Sequence, residues 1–171
     1  MELHDKISSL YNAYFYAVAK SDAIPVHCRS LHQGVDSGMS PDVASSVEFI
    51  KLVELPATIL DLGAGVSTYV FRSLFDNVIT IDSDHGYLEF VRSICRKSNL
   101  SNDNFFCGMR HIVADYIFFD YGTTDDRIRL LEQVVSYGKK LIWVNDADNR
   151  PAVRPLINSL HSLSRRKGFV V

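Results

Sequence analysis

Apolar positions recur along this chain with two different periods. Leu3, Ile7, Leu10, Tyr11, Tyr14, Phe15 and Val18 follow a 3.6-residue period and predict an amphipathic helix over 3–20. Val43, Val47, Phe49, Ile50 and Val53 repeat that pattern up to Pro56, with Ser40 as N-cap and Pro41 in the first turn. Between these helices, residues 21–40 are polar and broken by Pro25, Gly34 and Gly38, and are expected to form a lid. Beyond Ala57 the pattern changes to short continuous apolar runs, which suit strands buried on both faces. These predict strands at Ile59, Leu60 and Leu62, then over 78–82, 104–107, 114–120 and 140–145. Helical periodicity returns over 67–75, 86–97, 127–137 and 155–163.

Strands alternating with helices imply an α/β fold: a Rossmann-like, doubly wound, mostly parallel sheet with helices on both faces. One link departs from the alternation. Residues 108–113, between the third and fourth strands, are too few for a full crossover helix. The expected organisation is one domain over 1–171, with 1–56 as amino-terminal helices and lid and 57–171 as the α/β core.

Composition changes this picture little. At 47% hydrophobic and 22% charged residues the chain suits an ordinary globular core, and its net charge of −2 supplies no general attraction for nucleic acid or membrane. Arg165, Arg166 and Lys167 read as a solvated helix end. Cys28, Cys95 and Cys107 form no CxxC pair, so neither a disulfide framework nor a zinc site is expected. Glu2, His4, Asp5 and Lys6 do not suit a signal peptide, and no apolar run approaches the ~20 residues of a membrane span. A cytoplasmic location is the expectation.

Candidate chemistry gathers at strand ends. After Ile59, Leu60, Asp61 and Leu62 come Gly63, Ala64 and Gly65, then Ser67 and Thr68 where a helix begins. A strand, a glycine turn and a helix amino end make a nucleotide-type cradle, because glycine admits close backbone approach and the first helical N–H groups are free donors. Asp82 closes the second strand, where an acid accepts hydrogen bonds from ribose hydroxyls; Asp84 suits the cap of the next helix. Asp61, Asp82, Asp120, Asn145 and Asp146 all fall at or near the carboxyl ends of strands. His27 and His32 stand in the polar loop as solvated histidines, with a catalytic base as the sharper alternative. A dinucleotide site is the weaker reading, because GxGxxG requires glycine where Thr68 stands.

The segments DLGAGVST, VITIDSDHGYLEFVR, DYIFFDYG and LIWVNDADNRP resemble the class I S-adenosylmethionine-dependent methyltransferases. GMSPDVASSVEFIKLVE resembles the entry segment of the catechol-type and caffeoyl-coenzyme-A-type O-methyltransferase branch. The resemblance implies that Asp61, Gly63, Ala64, Gly65, Ser67 and Thr68 hold the methionine part of S-adenosylmethionine, with Asp82 and Ser83 beside its ribose. It implies Asp120 and Asp146 as catalytic carboxylates, and Asp120, Asp146 and Asn145 as ligands for Mg2+ or Ca2+; Asp148 and Asn149 are an alternative pair for the last turn. Without a metal, Asp120 would contact the cofactor's amino group or Asp146 would serve as general base. The implied acceptor is an oxygen of a small molecule; nucleic-acid or protein methylation and an inactive cofactor-binding protein are the alternatives. The family's carboxyl-terminal hairpin is expected to be incomplete, since only 168–171 are left to begin a sixth strand, and the open sheet edge suggests a homodimer.

Overall fold

The computed structural model describes residues 2–21, 43–145, 154–155 and 157–158. Helix α1 (Leu3–Ala19) follows the predicted period and buries Ile7, Tyr11, Tyr14 and Val18. Helix α2 (Val43–Lys51) buries Ser46, Val47 and Phe49. Strand β1 (Ile59–Leu62) is buried at every position, as the unbroken apolar run requires. It leads through the glycine turn into α3 (Val66–Leu74) and on to β2 (Val78–Asp82). Helix α4 (His85–Lys97) starts on Asp84, whose carboxylate accepts the Tyr87 N–H at 2.9 Å, so the predicted cap is present. Strands β3 (Phe105–Cys107) and β4 (Ala114–Phe119), helix α5 (Thr124–Val135) and strand β5 (Gly138–Val144) complete the core.

The five strands run in the order β3-β2-β1-β4-β5, and every neighbouring pair is parallel. Chain order therefore reverses direction between β1 and β4, and such a switch point opens a crevice at the strands' carboxyl ends. Ile59, Tyr116, Phe118 and Trp143 face the core formed with α1–α4. Leu60, Leu62, Ile117, Phe119 and Ile142 face the other core, with Leu131 and Val134 of α5. Phe49 anchors α2 in the first of these cores, with ring centroids 5.2 Å from Phe71 of α3 and 5.1 Å from Phe118 of β4. Each such pair adds about 0.5–1.5 kcal/mol beyond its buried area.

The irregular link now has a physical account. Strands β3 and β4 are not neighbours, and Met109 and Ile112 of the link pack into the second core where a crossover helix would otherwise lie. His111 stands edge-on to Tyr137, with centroids 4.8 Å apart. Several boundaries shift from expectation, and two of the shifts have a clear local cause. Asn104, expected in the third strand, has a φ of 59°, a left-handed conformation asparagine tolerates, so β3 begins one residue later. Helix α5 starts at Thr124 instead of Arg127 because Thr123 and Asp126 cap it reciprocally: Thr123 Oγ1 accepts the Asp126 N–H, and Asp126 accepts the Thr123 N–H at 3.0 Å. The expected lid over 21–40, apart from Ser21, lies outside the described residues, as do most of the last helix and the whole of 159–171. No described helix is long and apolar enough to cross a membrane.

Candidate functional site

The glycine turn sits at the switch point. Gly63 N–H continues the sheet by donating to the Ile81 carbonyl of β2, and Asp120 N–H donates to the Leu62 carbonyl of β1, both at 2.8 Å. Gly63 has a φ of 105°, and a Cβ there would press into the Asp120 backbone, 2.8 Å from its carbonyl carbon. Gly65 is different. Its φ of 165° is extended backbone, and a Cβ would meet only the Tyr87 hydroxyl, at 3.7 Å. The first glycine is thus required by the packing of the protein on itself, whereas a side chain at the second would meet only ordinary contact.

Asp61 is fully buried inside this turn. Ser67 Oγ donates to its Oδ1 at 3.0 Å, and Thr68 Oγ1 donates to its Oδ2. Thr68 Oγ1 also accepts the Gly65 N–H at 3.1 Å. Burial pushes the Asp61 carboxyl up to about 7, against the lowering pull of the Thr68 and Ser67 hydroxyls and of Arg72. The Asp61 carboxylate, Ser67 and Thr68 accordingly brace the amino end of α3 from within, bonded to one another and to the turn.

Asp82 reaches the same turn from β2. Its Oδ2 accepts the Ala64 N–H and its Oδ1 the Asp84 N–H, both at 2.8 Å. A carboxylate offers about four acceptor directions, so these two bonds leave capacity for further donors. Burial raises its pKa, opposed by the backbone bonds from Asp84 and Ala64. Ser83 is exposed beside it. Tyr121, given no role in the sequence reading, follows Asp120 and is buried in the second core with Ile81 of β2. Tyr14 of α1 packs on Tyr69 of α3, centroids 5.7 Å apart, so α1 supports the turn from the side. Tyr121 was hidden by its apolar surroundings; its place next to Asp120 was the available signal.

At the β4 and β5 ends the structure departs from the sequence reading. The Asp120 carboxylate, expected to be an open catalytic or metal-binding group, is paired with the buried guanidinium of Arg127. The other terminal nitrogen of Arg127 donates to the Asn145 backbone carbonyl at 2.9 Å. A guanidinium on Asp120 supplies the counter-charge a metal would bring, and so disfavours a second cation there. Asn145 Oδ1, the atom a metal would use, instead accepts from Ser45 Oγ of α2 at 2.9 Å. Among the described residues no group of three or more His, Cys, Asp or Glu is placed to hold a metal ion. Asp146, Asp148 and Asn149 lie outside the described residues. Arg127 escaped the sequence reading because a helical arginine usually faces solvent; its place seven residues beyond Asp120, just after a capping box, was the only hint.

A separate hollow of about 640 Å3 lies at the amino end of the sheet, lined by Thr58, Asp76, Asn77 and Asp115 among others. Its polar groups serve the fold: Asp115 accepts the Thr58 N–H, and Asn77 donates to Thr58 Oγ1.

No family model matches this sequence, and comparison with curated proteins returns no match. Solved structures do match. Coclaurine N-methyltransferase bound to N-methylheliamine and SAH aligns with a TM-score of 0.51 at 14% identity, over 83% of this chain and 51% of that one. Thermoplasma acidophilum 1320 aligns with a TM-score of 0.54 at 14% identity, over 88% of this chain and 80% of that one. This chain thus spans about half the length of the coclaurine N-methyltransferase chain. The similarity is one of architecture: the chain has a Rossmann-like α/β fold that matches the fold of coclaurine N-methyltransferase.

Proposed function

We propose that this chain binds S-adenosylmethionine at the glycine turn and directs its methyl group to an oxygen of a small molecule. The observation that carries the reading is Asp82. Its carboxylate is held against the Ala64 N–H of the turn, beside Gly65, where the Tyr87 hydroxyl is the only near neighbour a Cβ would meet, with acceptor capacity to spare. That arrangement fits a ribose diol on Asp82 and Ser83, with the amino-acid end of the cofactor along Ala64, Gly65 and the first N–H groups of α3. Asp61, Ser67 and Thr68 keep those N–H groups in place.

The cofactor supplies an activated methyl group, so the protein's share of the chemistry is alignment, exclusion of water and removal of the acceptor's proton. Asp146 is our assignment for that base, since Asp120 is engaged by Arg127. Mg2+ or Ca2+ is not needed in this scheme.

Calorimetry with S-adenosylmethionine tests the reading. The folded chain is expected to bind, and Asp82→Asn is expected to weaken binding by about 1–3 kcal/mol, since a charged acceptor is lost. A melting curve on each protein separates lost affinity from lost structure. Undiminished affinity in Asp82→Asn would remove the ribose role, and no binding by the folded wild type would remove the cofactor. Transfer of labelled methyl to catechol, compared with transfer to an amine and to RNA, then decides the acceptor.

A further inference from the structure

Asn145 carries an atom that the fold does not satisfy. The side chain is 2% exposed, its Oδ1 is engaged by Ser45, and its Nδ2 is buried without a hydrogen-bond partner. Leaving a buried amide donor unpaired is costly, and native proteins rarely do so without a use for it. Orientation of the amide follows from its neighbours. Trp143 Nε1, a donor only, donates to Ser45 Oγ at 3.1 Å. Ser45 spends its own proton on Asn145 Oδ1. The oxygen end of the amide therefore faces α2, and the NH2 end is turned away from it.

Position adds the second part. Asn145 follows the last residue of β5, and its N–H donates to the Phe119 carbonyl of β4 at 3.0 Å, which sets it beside Asp120 in the register that pairs Phe119 with Val144. Phe118 and Trp143, one pair earlier, lie on the face covered by α1–α4, so Asp120 and Asn145 share that face at the carboxyl edge that holds the glycine turn. Asp120 is neutralised by Arg127, and the same guanidinium occupies the Asn145 carbonyl. What this corner offers a ligand is an oriented N–H donor beside a compensated ion pair.

We infer that Asn145 Nδ2 is the donor that fixes an oxygen of the methyl-accepting molecule, and that this corner selects a hydroxyl, carbonyl or carboxylate oxygen over an ammonium group. Ser45 is the positioning residue that holds the amide in this sense. The inference rests on the methyltransferase reading for the word acceptor, but the donor itself is a property of the described residues.

The test uses the full chain, with and without S-adenosylhomocysteine, and three probes followed by ligand-observed NMR: catechol, benzoate and benzylamine. Calorimetry of S-adenosylhomocysteine comes first and judges the cofactor reading separately; Asn145→Ala is expected to leave that affinity unchanged. Wild type is expected to bind catechol and benzoate at least about tenfold more tightly than benzylamine, a selectivity that needs no variant. Asn145→Ala is expected to weaken both oxygen probes about fivefold to tenfold. Asn145→Asp, of equal size, replaces the donor by an acceptor and is expected to reverse the order in favour of benzylamine. Ser45→Ala should give a smaller loss, and Ser45→Thr should restore binding. The inference is overturned by benzylamine binding as tightly as the oxygen probes. It is equally overturned by folded Asn145→Ala and Asn145→Asp proteins with wild-type probe affinities, or by no probe binding at millimolar concentration.

Discussion

Gly63 and Asp120 meet backbone to backbone where β1 and β4 diverge. A methyl on Gly63 would stand 2.8 Å from the Asp120 carbonyl carbon, and closer still to its oxygen, while the φ of 105° already disfavours any side chain. This contact places the glycine turn against the end of β4. It also separates two glycines that sequence alone treats as equivalent.

Gly63→Ala and Gly65→Ala should therefore fail in different ways. The first combines a left-handed backbone penalty with a clash against main chain, for a loss of roughly 3 kcal/mol or more in urea unfolding. Gly65→Ala should change stability by less than about 1 kcal/mol, because its backbone is extended and its nearest neighbour is at contact distance. Its defect should appear in S-adenosylhomocysteine affinity instead. Equal stability losses in the two variants would contradict this division.

The Arg127–Asp120 pair should behave as a buried ion pair. Arg127→Met takes the guanidinium away from the largely buried Asp120 carboxylate, at a cost of about 3–5 kcal/mol. Asp120→Asn in the same chain should recover much of that loss, since no charge is then stranded. A double-mutant cycle by chemical denaturation measures the coupling. Additive single losses would show that the two groups do not act together.

Such pairings mark the limit of what was legible beforehand. The apolar runs around Ile59, Ile79 and Ile117 located the sheet because a strand buried on both faces leaves that trace in sequence. Asp84 was legible as a cap, since capping depends on residues a few positions apart. The partner of Asp120 was not, because it depends on how α5 lies over the ends of β4 and β5. Thr68 in place of a third glycine counted against a dinucleotide site; its positive reason, a hydroxyl for the buried Asp61 and for Gly65, needed three dimensions. Asn145 was placed correctly at a strand end, yet which end of its amide faced outward depended on Ser45 and Trp143, about a hundred residues apart in the latter's case from α2.

Arg72 offers a test of how β3 is held. From α3 its guanidinium donates to the Ser101 carbonyl and to Thr80 Oγ1, both at 3.2 Å, and lies 4.0 Å above the Phe105 ring. An ammonium cannot reproduce that fork and stacking together. Arg72→Lys is expected to cost about 1–3 kcal/mol, with the amides of Phe105–Cys107 losing exchange protection before those of β1. Uniform loss of protection across the sheet would show that Arg72 supports the whole core and not β3 in particular.

Asp61 gives the fold a pH dependence of definite sign. Burial raises its carboxyl from 3.8 to about 7, so between those values the folded chain holds a proton that the unfolded chain releases. Stability from this group is complete below about pH 4 and is lost as the pH rises through 7, a swing on the order of 4 kcal/mol. Asp61→Asn keeps an acceptor for one hydroxyl and a donor for the other while removing the charge. The difference in unfolding free energy between wild type and Asp61→Asn, followed from pH 5 to pH 8, isolates this contribution from every other carboxylate. Wild type should lose ground steadily to the variant over that interval and level off above it. A difference that stays flat from pH 5 to pH 8 would mean that Asp61 is ionised throughout, and that the Ser67 and Thr68 hydroxyls suffice to hold a full charge inside the glycine turn.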